Sequence, residues 1–151
     1  MKGTRILGLT LAAVFTALTL GACAMMPGEP EPSLYKRLGG RDGIAFVVDD
    51  FVANLVADGR VNARFKGLQP PAVFKLKSHL SDQICDAAGG PCAYLGRDMK
   101  ETHKGMNVSD AEWNATVENL GKALDKNKVG AKEKSELLGV LGPMKGDIVG
   151  R

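Results

Sequence analysis

The chain has two histidines, His79 and His103, and both fall in one stretch, Leu76 to Met106. The same stretch holds two of the three cysteines, Cys85 and Cys92, and one of the two tyrosines, Tyr94. A neutral imidazole nitrogen is a good axial ligand for a haem iron. Such a group needs an apolar crevice with flat walls. Met99 lies one helical turn before His103 and Met106 just beyond it, and methionine packs adaptably against a flat ring. A lone histidine more often sits at the surface or as a satisfied core residue, and spacing alone does not separate these roles.

The elements that would position the two imidazoles are helical. Val73, Leu76, Leu80, Ile84 and Ala87 recur at steps of three and four, a helix from about Ala72 to the break at Gly89-Gly90-Pro91. His79 lies on or beside that apolar stripe. Tyr94 to Asp98 reads as a loop. A short helix then carries Met99 and His103, four apart on one face. Upstream, Ser33 can cap a short helix through Leu38, and Gly39-Gly40 stops it. Asp42 can cap the next, with Ile44, Val47, Val48, Phe51 and Leu55 on one face, ending near Asp58-Gly59. Val61 to Phe65 is a short turn or helical piece.

Downstream, Ser109-Asp110-Ala111-Glu112 has the capping-box pattern and opens a helix with Trp113, Val117, Leu120 and Leu124 on one side. A last helix carries Leu137, Leu138, Val140, Leu141, Met144 and Ile148, and Pro143 should bend it. The expectation is an all-α chain of five to six helices with Gly and Pro at the joints.

The 151 residues suit one domain, and an apolar share of 44% suffices for a core. The formal charge of +3 includes Lys2 and Arg5. Without them 18 basic face 17 acidic side chains, a balance with no footprint for nucleic acid. Those two charges precede Ile6–Leu20, an uncharged apolar run spanning about 22 Å as a helix, short of the roughly 30 Å hydrocarbon core. This is the pattern of a secretory signal. Leu20-Gly21-Ala22-Cys23 resembles the lipobox of bacterial lipoproteins, in which the cysteine is lipidated and becomes the mature first residue. Ala24 resembles the outer-membrane-sorted class. Residues 23–32 include the proline-rich AMMPGEPEP and read as a tether. The expected organisation is a signal peptide at 1–22, a tether at 23–32 and a folded domain at 33–151.

From Ser33 to Ile148 the chain resembles the group 1 truncated haemoglobins, globins with a two-over-two helical sandwich. The residues that carry the likeness are Leu34-Tyr35…Leu38-Gly39-Gly40, Val48-Asp49-Asp50-Phe51, Gly89-Gly90-Pro91 with Tyr94 and Gly96, and Met99-Lys100…His103-Lys104-Gly105. Trp113 follows where the family usually has Phe. The resemblance implies haem b, with His103 as proximal ligand and Phe65 as the aromatic wedge on the ring. It places Phe51 on the distal wall, and Leu76 and Leu80 among the ligand-facing residues. Tyr94 matches a position near a haem propionate, and Lys75 and Arg97 are candidate propionate partners. His79, ten residues before Gly89, resembles the distal-helix histidine that binds iron as sixth ligand in cyanobacterial members, which implies a bis-histidine resting state.

One departure bears on function. Oxygen-retaining members carry a tyrosine after the Phe51 position, where this chain has Val52. Leu76 and Leu80 offer no donor either, although Gln83 lies one turn further along. Weaker oxygen retention is expected, since a hydrogen bond to a polarised partner is worth roughly 1–3 kcal/mol. No C-x-x-C-H attachment motif is present in the sequence, so the haem should be held non-covalently. Cys85 and Cys92 flank the Gly-Gly-Pro turn. Outside the cytoplasm a disulfide between them is permitted if their Cα atoms come within about 7 Å.

The first functional expectation is therefore a haem protein, tethered to the periplasmic side of a membrane through Cys23, that reversibly binds oxygen or nitric oxide. A redox or electron-transfer role with a redox partner, or nitric oxide detoxification with dioxygenase activity, would follow from a bis-histidine iron. The competing expectation is a haem-free helical lipoprotein with a structural or binding role.

Overall fold

A computed structural model describes residues 30–151, and the folded unit runs from Glu31 to Arg151. The expected signal segment, the expected lipid-acceptor Cys23 and most of the expected tether lie outside the described residues. Among the described residues there are seven α-helical elements: α1 Leu34–Arg37, α2 Gly40–Ala57, α3 Pro70–Ala87, α4 Met99–His103, α5 Asp110–Lys126, α6 Ala131–Leu141 and α7 Lys145–Ile148. Two 3-10 turns, Asn62–Arg64 and Gly142–Met144, complete the set. No strand forms among these residues, and one isolated bridge pairs Val108 with Val149. No helix of the described residues is long and apolar enough to cross a membrane.

Local chemistry explains most boundaries. Ser33 accepts from the Lys36 amide at 3.5 Å to open α1. Ser109 and Glu112 form the complete capping box of α5, each bonded to the other's backbone amide. Asp98 accepts from the Glu101 amide at 2.7 Å to start α4. The expectation that Asp42 caps α2 is corrected. Gly39 is the cap, left-handed at φ +86°, and Gly40 follows at φ +68°, so α2 begins three residues earlier. Asp42 instead sits in the first turn, where its charge favours the helix dipole. A Cβ at Gly43 would meet the Leu38 carbonyl oxygen at 2.1 Å, so the joint between α1 and α2 requires a bare backbone there. Pro70 and Pro71 open α3 rather than precede it, because proline at the first helical positions loses no intrahelical bond. Gly142-Pro143 does more than bend the last helix: it breaks it into α6, a 3-10 turn and α7.

α2 runs antiparallel to α3 and packs across α5, and α5 contacts α6. Ion pairs fix the register of α2 on α3, Arg41 with Asp82 at 3.0 Å and Lys77 with Asp49 at 2.8 Å. The crossing of α2 and α5 is pinned by Asn54 donating to the Asn119 carbonyl (3.1 Å) and Asn119 donating to Asp58 (2.7 Å). Arg37 ties α1 to α6 through Glu133 and Glu136. The apolar stripe of α2 is buried throughout, from Ile44 through Leu55, with Leu120, Ala123 and Leu124 of α5 and Leu137 of α6.

On α3 only Ile84 and Cys85 are buried. Val73, Leu76 and Leu80 stay half-buried although they belong to the same periodic stripe. They pack against the edge of the core, and Leu76 and Leu80 also border an open space. Cys85 and Cys92 are joined in a disulfide, Cα to Cα 5.8 Å, across the Gly-Gly-Pro turn. A Cβ at Gly90 would come within 2.6 Å of both the Cys85 sulfur and the Tyr35 ring, so the turn closes only around glycine.

Candidate functional site

The space beside α3 is a two-lobed crevice. One lobe, about 360 Å³, lies between α3, the Phe65 corner and the start of α5. The other, about 300 Å³, runs under α3 towards α6 and α7. Six residues line both: Phe51, Leu80, His103, Trp113, Thr116 and Ile148. Each lobe alone is at the low end of the roughly 300–1,000 Å³ of small-molecule sites, and together they match a cofactor.

His103 stands at the junction of the lobes. Its Nδ1 lies 2.8 Å from the carbonyl oxygen of Met99, one turn back on α4. A carbonyl can only accept, so Nδ1 carries a proton and donates, and in the neutral ring Nε2 is the nitrogen with the lone pair. A ligand imidazole is oriented in this way, with the backbone bond fixing ring and tautomer. Among the described residues no group of three or more His, Cys, Asp or Glu side chains could cage a metal. A single imidazole facing an apolar slot suits a metal already held by its own macrocycle, and the residues present therefore fit haem.

The remaining expected residues divide. Phe65 and Leu76 line the first lobe and Met99 the second. Val52 is buried in the core beside Phe51 and lines neither lobe. Tyr94 lines neither lobe; its hydroxyl donates to the Arg97 carbonyl at 2.8 Å. Lys75 and Arg97 are exposed and away from the lining. His79 is half-buried, lines neither lobe, and meets the Tyr94 ring edge-on with centroids 6.1 Å apart. Gln83 lines the second lobe with its amide nitrogen 3.3 Å from the Met99 sulfur and 3.5 Å from that of Met144.

The sequence matches the bacterial-like globin family over residues 33–149. The chain belongs to that family. It is 30% identical over 121 residues to a group 1 truncated haemoglobin of Mycolicibacterium paratuberculosis, an alignment covering 80% of this chain and 87% of that one. The ferric truncated haemoglobin of Tetrahymena pyriformis superimposes with a TM-score of 0.74 at 29% identity, covering 80% of this chain and all of that one. The two-over-two haemoglobin of a Synechococcus species, solved with covalently attached haem, gives 0.72 at 28% identity over the same shares. The fold is the two-over-two globin fold, and the cofactor is haem.

Several lining residues escaped the sequence reading. Thr116 lies between Trp113 and Leu120 of α5 at helical spacing, so periodicity could have found it. Arg64 has no such signal. It lines the first lobe and forks onto Glu112, Nε to Oε1 at 2.8 Å and Nη2 to Oε2 at 3.1 Å. Its Nη1 donates to the Met106 carbonyl at 2.7 Å. This clamp joins the Phe65 corner, the loop after His103 and the start of α5 across the lobe.

The Arg64 guanidinium, then the Ser109 bonds, hold the Glu112 carboxyl down at about 2, from an ordinary 4.5. A depressed carboxylate contributes stability above its unfolded pKa and loses it as pH falls through the folded one. Glu112→Gln should therefore lower the unfolding free energy by about 1 kcal/mol at neutral pH. That gap from wild type should close as pH falls from about 4.5 to about 2. Urea denaturation of both proteins across this range checks it; a gap independent of pH would mean the charge is immaterial.

Proposed function

We propose that this truncated haemoglobin is a low-retention gas-binding and redox protein of an exported, lipid-anchored compartment. His103 carries the reading: it lines both lobes while its Nδ1 is tied to the Met99 carbonyl. Bound haem supplies the iron at which a diatomic ligand is taken up. Met99, Phe65, Leu80 and Trp113 provide apolar walls that exclude water from it.

The distal side offers little to hold a polarised ligand. Phe51, Leu76 and Leu80 carry no donor, and Val52 replaces the tyrosine of the oxygen-retaining members. Gln83 has an amide, but its nitrogen is engaged with two thioether sulfurs. Fast oxygen release suits scavenging of nitric oxide or electron exchange with a redox partner better than storage. His79 serves as a conditional sixth ligand: one helical turn of α3 separates it from Leu76 and Gln83, both lining residues, so a local shift brings it to the iron. Export rests on the basic start and apolar run at 1–20, and attachment to the periplasmic side of a membrane rests on Cys23 in its lipobox-like setting.

Leu80→Gln should place an amide in both lobes and slow oxygen dissociation about ten-fold, the equivalent of one hydrogen bond of about 1.4 kcal/mol. Stopped-flow displacement measures it, and an unchanged rate would remove Leu80 from the ligand's surroundings. Cys23→Ser should move the full-length protein from the membrane pellet to the soluble fraction of its host. Membrane retention of that variant would discard the lipid anchor.

A further inference from the structure

His79 and the loop opposite it form a small assembly of their own, outside the crevice. Tyr94 is the plate against which the His79 ring rests, with interplanar angle 86°. Three constraints hold that plate. Its backbone amide donates to Asp86 at 3.1 Å, and its hydroxyl donates to the Arg97 carbonyl at 2.8 Å. Its ring covers Gly96 so closely that a Cβ there would stand 2.3 Å from the ring carbon bearing the hydroxyl. The loop is fastened to α3 two residues earlier by the Cys85–Cys92 disulfide, whose Cys85 end is fully buried. Asp86, which anchors Tyr94, is the neighbour of Cys85. The disulfide and the Tyr94 anchor therefore act on the same last turn of α3, two helical turns beyond His79.

We propose that Tyr94 is a positioning residue that keeps His79 off the iron, and that the Cys85–Cys92 bond is the thiol-operated catch that keeps Tyr94 in place. The proposal rests on the reading of His79 as a conditional sixth ligand. With the catch closed, His79 stays on Tyr94, and His103 is the single protein ligand. To open the catch, an external dithiol gives two electrons and two protons. The S–S bond breaks, Cys85 and Cys92 become thiols, and the dithiol becomes its own disulfide. The loop from Pro91 to Asp98 is then tied to α3 by the Asp86 bond and packing alone. Tyr94 can leave, and His79 exchanges its aromatic neighbour for the sixth coordination position without net oxidation or reduction of either ring. A protein that meets both oxidising and reducing surroundings would then switch between an open gas site and a closed, electron-transferring one.

The test is the ferric spin state of the haem-loaded full-length protein, read by electron paramagnetic resonance and the visible spectrum. Wild type with its disulfide intact should be mainly high-spin. Cys92→Ser should shift it to low-spin, and so should Gly96→Ala, which displaces the Tyr94 ring without touching either cysteine. Tyr94→Ala should do the same, while Tyr94→Phe, which keeps the ring edge, should stay nearer wild type. In a His79→Ala background the low-spin species should vanish from all of them. If wild type and variants are equally low-spin and His79→Ala abolishes the signal in each, the catch is overturned and His79 stands as a ligand. If no variant gives a low-spin species that His79→Ala removes, the ligand reading fails and the catch falls with it.

Discussion

The Met99 carbonyl and the His103 Nδ1 proton decide the use of this molecule. That single backbone bond orients the ring and leaves Nε2 as the nitrogen available to a metal, on a residue that lines both lobes of the crevice. Much of the surrounding structure keeps the bond in register. Asp98 caps the five-residue helix that carries both partners. The C terminus then closes on the following loop, with the Gly150 amide donating to the Val108 carbonyl at 2.9 Å and the Asn107 amide donating to the Arg151 carbonyl. A helix of one and a half turns has little stability of its own. It persists because both of its ends are fastened.

The core and the crevice divide the apolar residues between them. The α2–α5–α6 contact is saturated: Ile44, Val48, Ala123, Leu124 and Leu137 are at most 2% exposed. The α3 stripe is fully buried only at its C-terminal end, near Ile84 and the disulfide. Its N-terminal half, together with Trp113 and Ile148, borders space that no side chain fills. A rigid half and an unfilled half give a pocket whose walls are set before a flat ring arrives. The same division explains the polar economy of the site, where Arg64 and Glu112, the only Asp, Glu, Lys or Arg side chains of the lining among the described residues, neutralise one another.

Much of this was legible in the residues. The Ser109–Glu112 capping box, the Gly39-Gly40 joint and the Gly89-Gly90-Pro91 turn are local signals, and each marks a real boundary. His103, Met99, Phe51, Phe65, Leu76, Leu80 and Trp113 were found from periodicity and family likeness together, and all border the crevice. Arg64 was not legible, because its role depends on a 48-residue separation from Glu112 that no spacing rule encodes. The surroundings of Tyr94 and His79 were equally hidden, since the edge-on contact depends on how the loop folds back over Gly96. Asp42 misled because a capping residue type counts for less than a glycine pair able to adopt left-handed backbone.

The chain has two imidazoles, so the central coordination bond can be isolated completely. The decisive measurement is haem retention and the ferrous spectrum of His103→Gly in a His79→Ala background, compared with His79→Ala alone, with and without free imidazole. The double variant should lose haem readily on gel filtration and recover its parent's ferrous spectrum when imidazole fills the space left at position 103. A double variant that keeps its haem and its parent's spectrum without imidazole would show that His103 does not hold the iron.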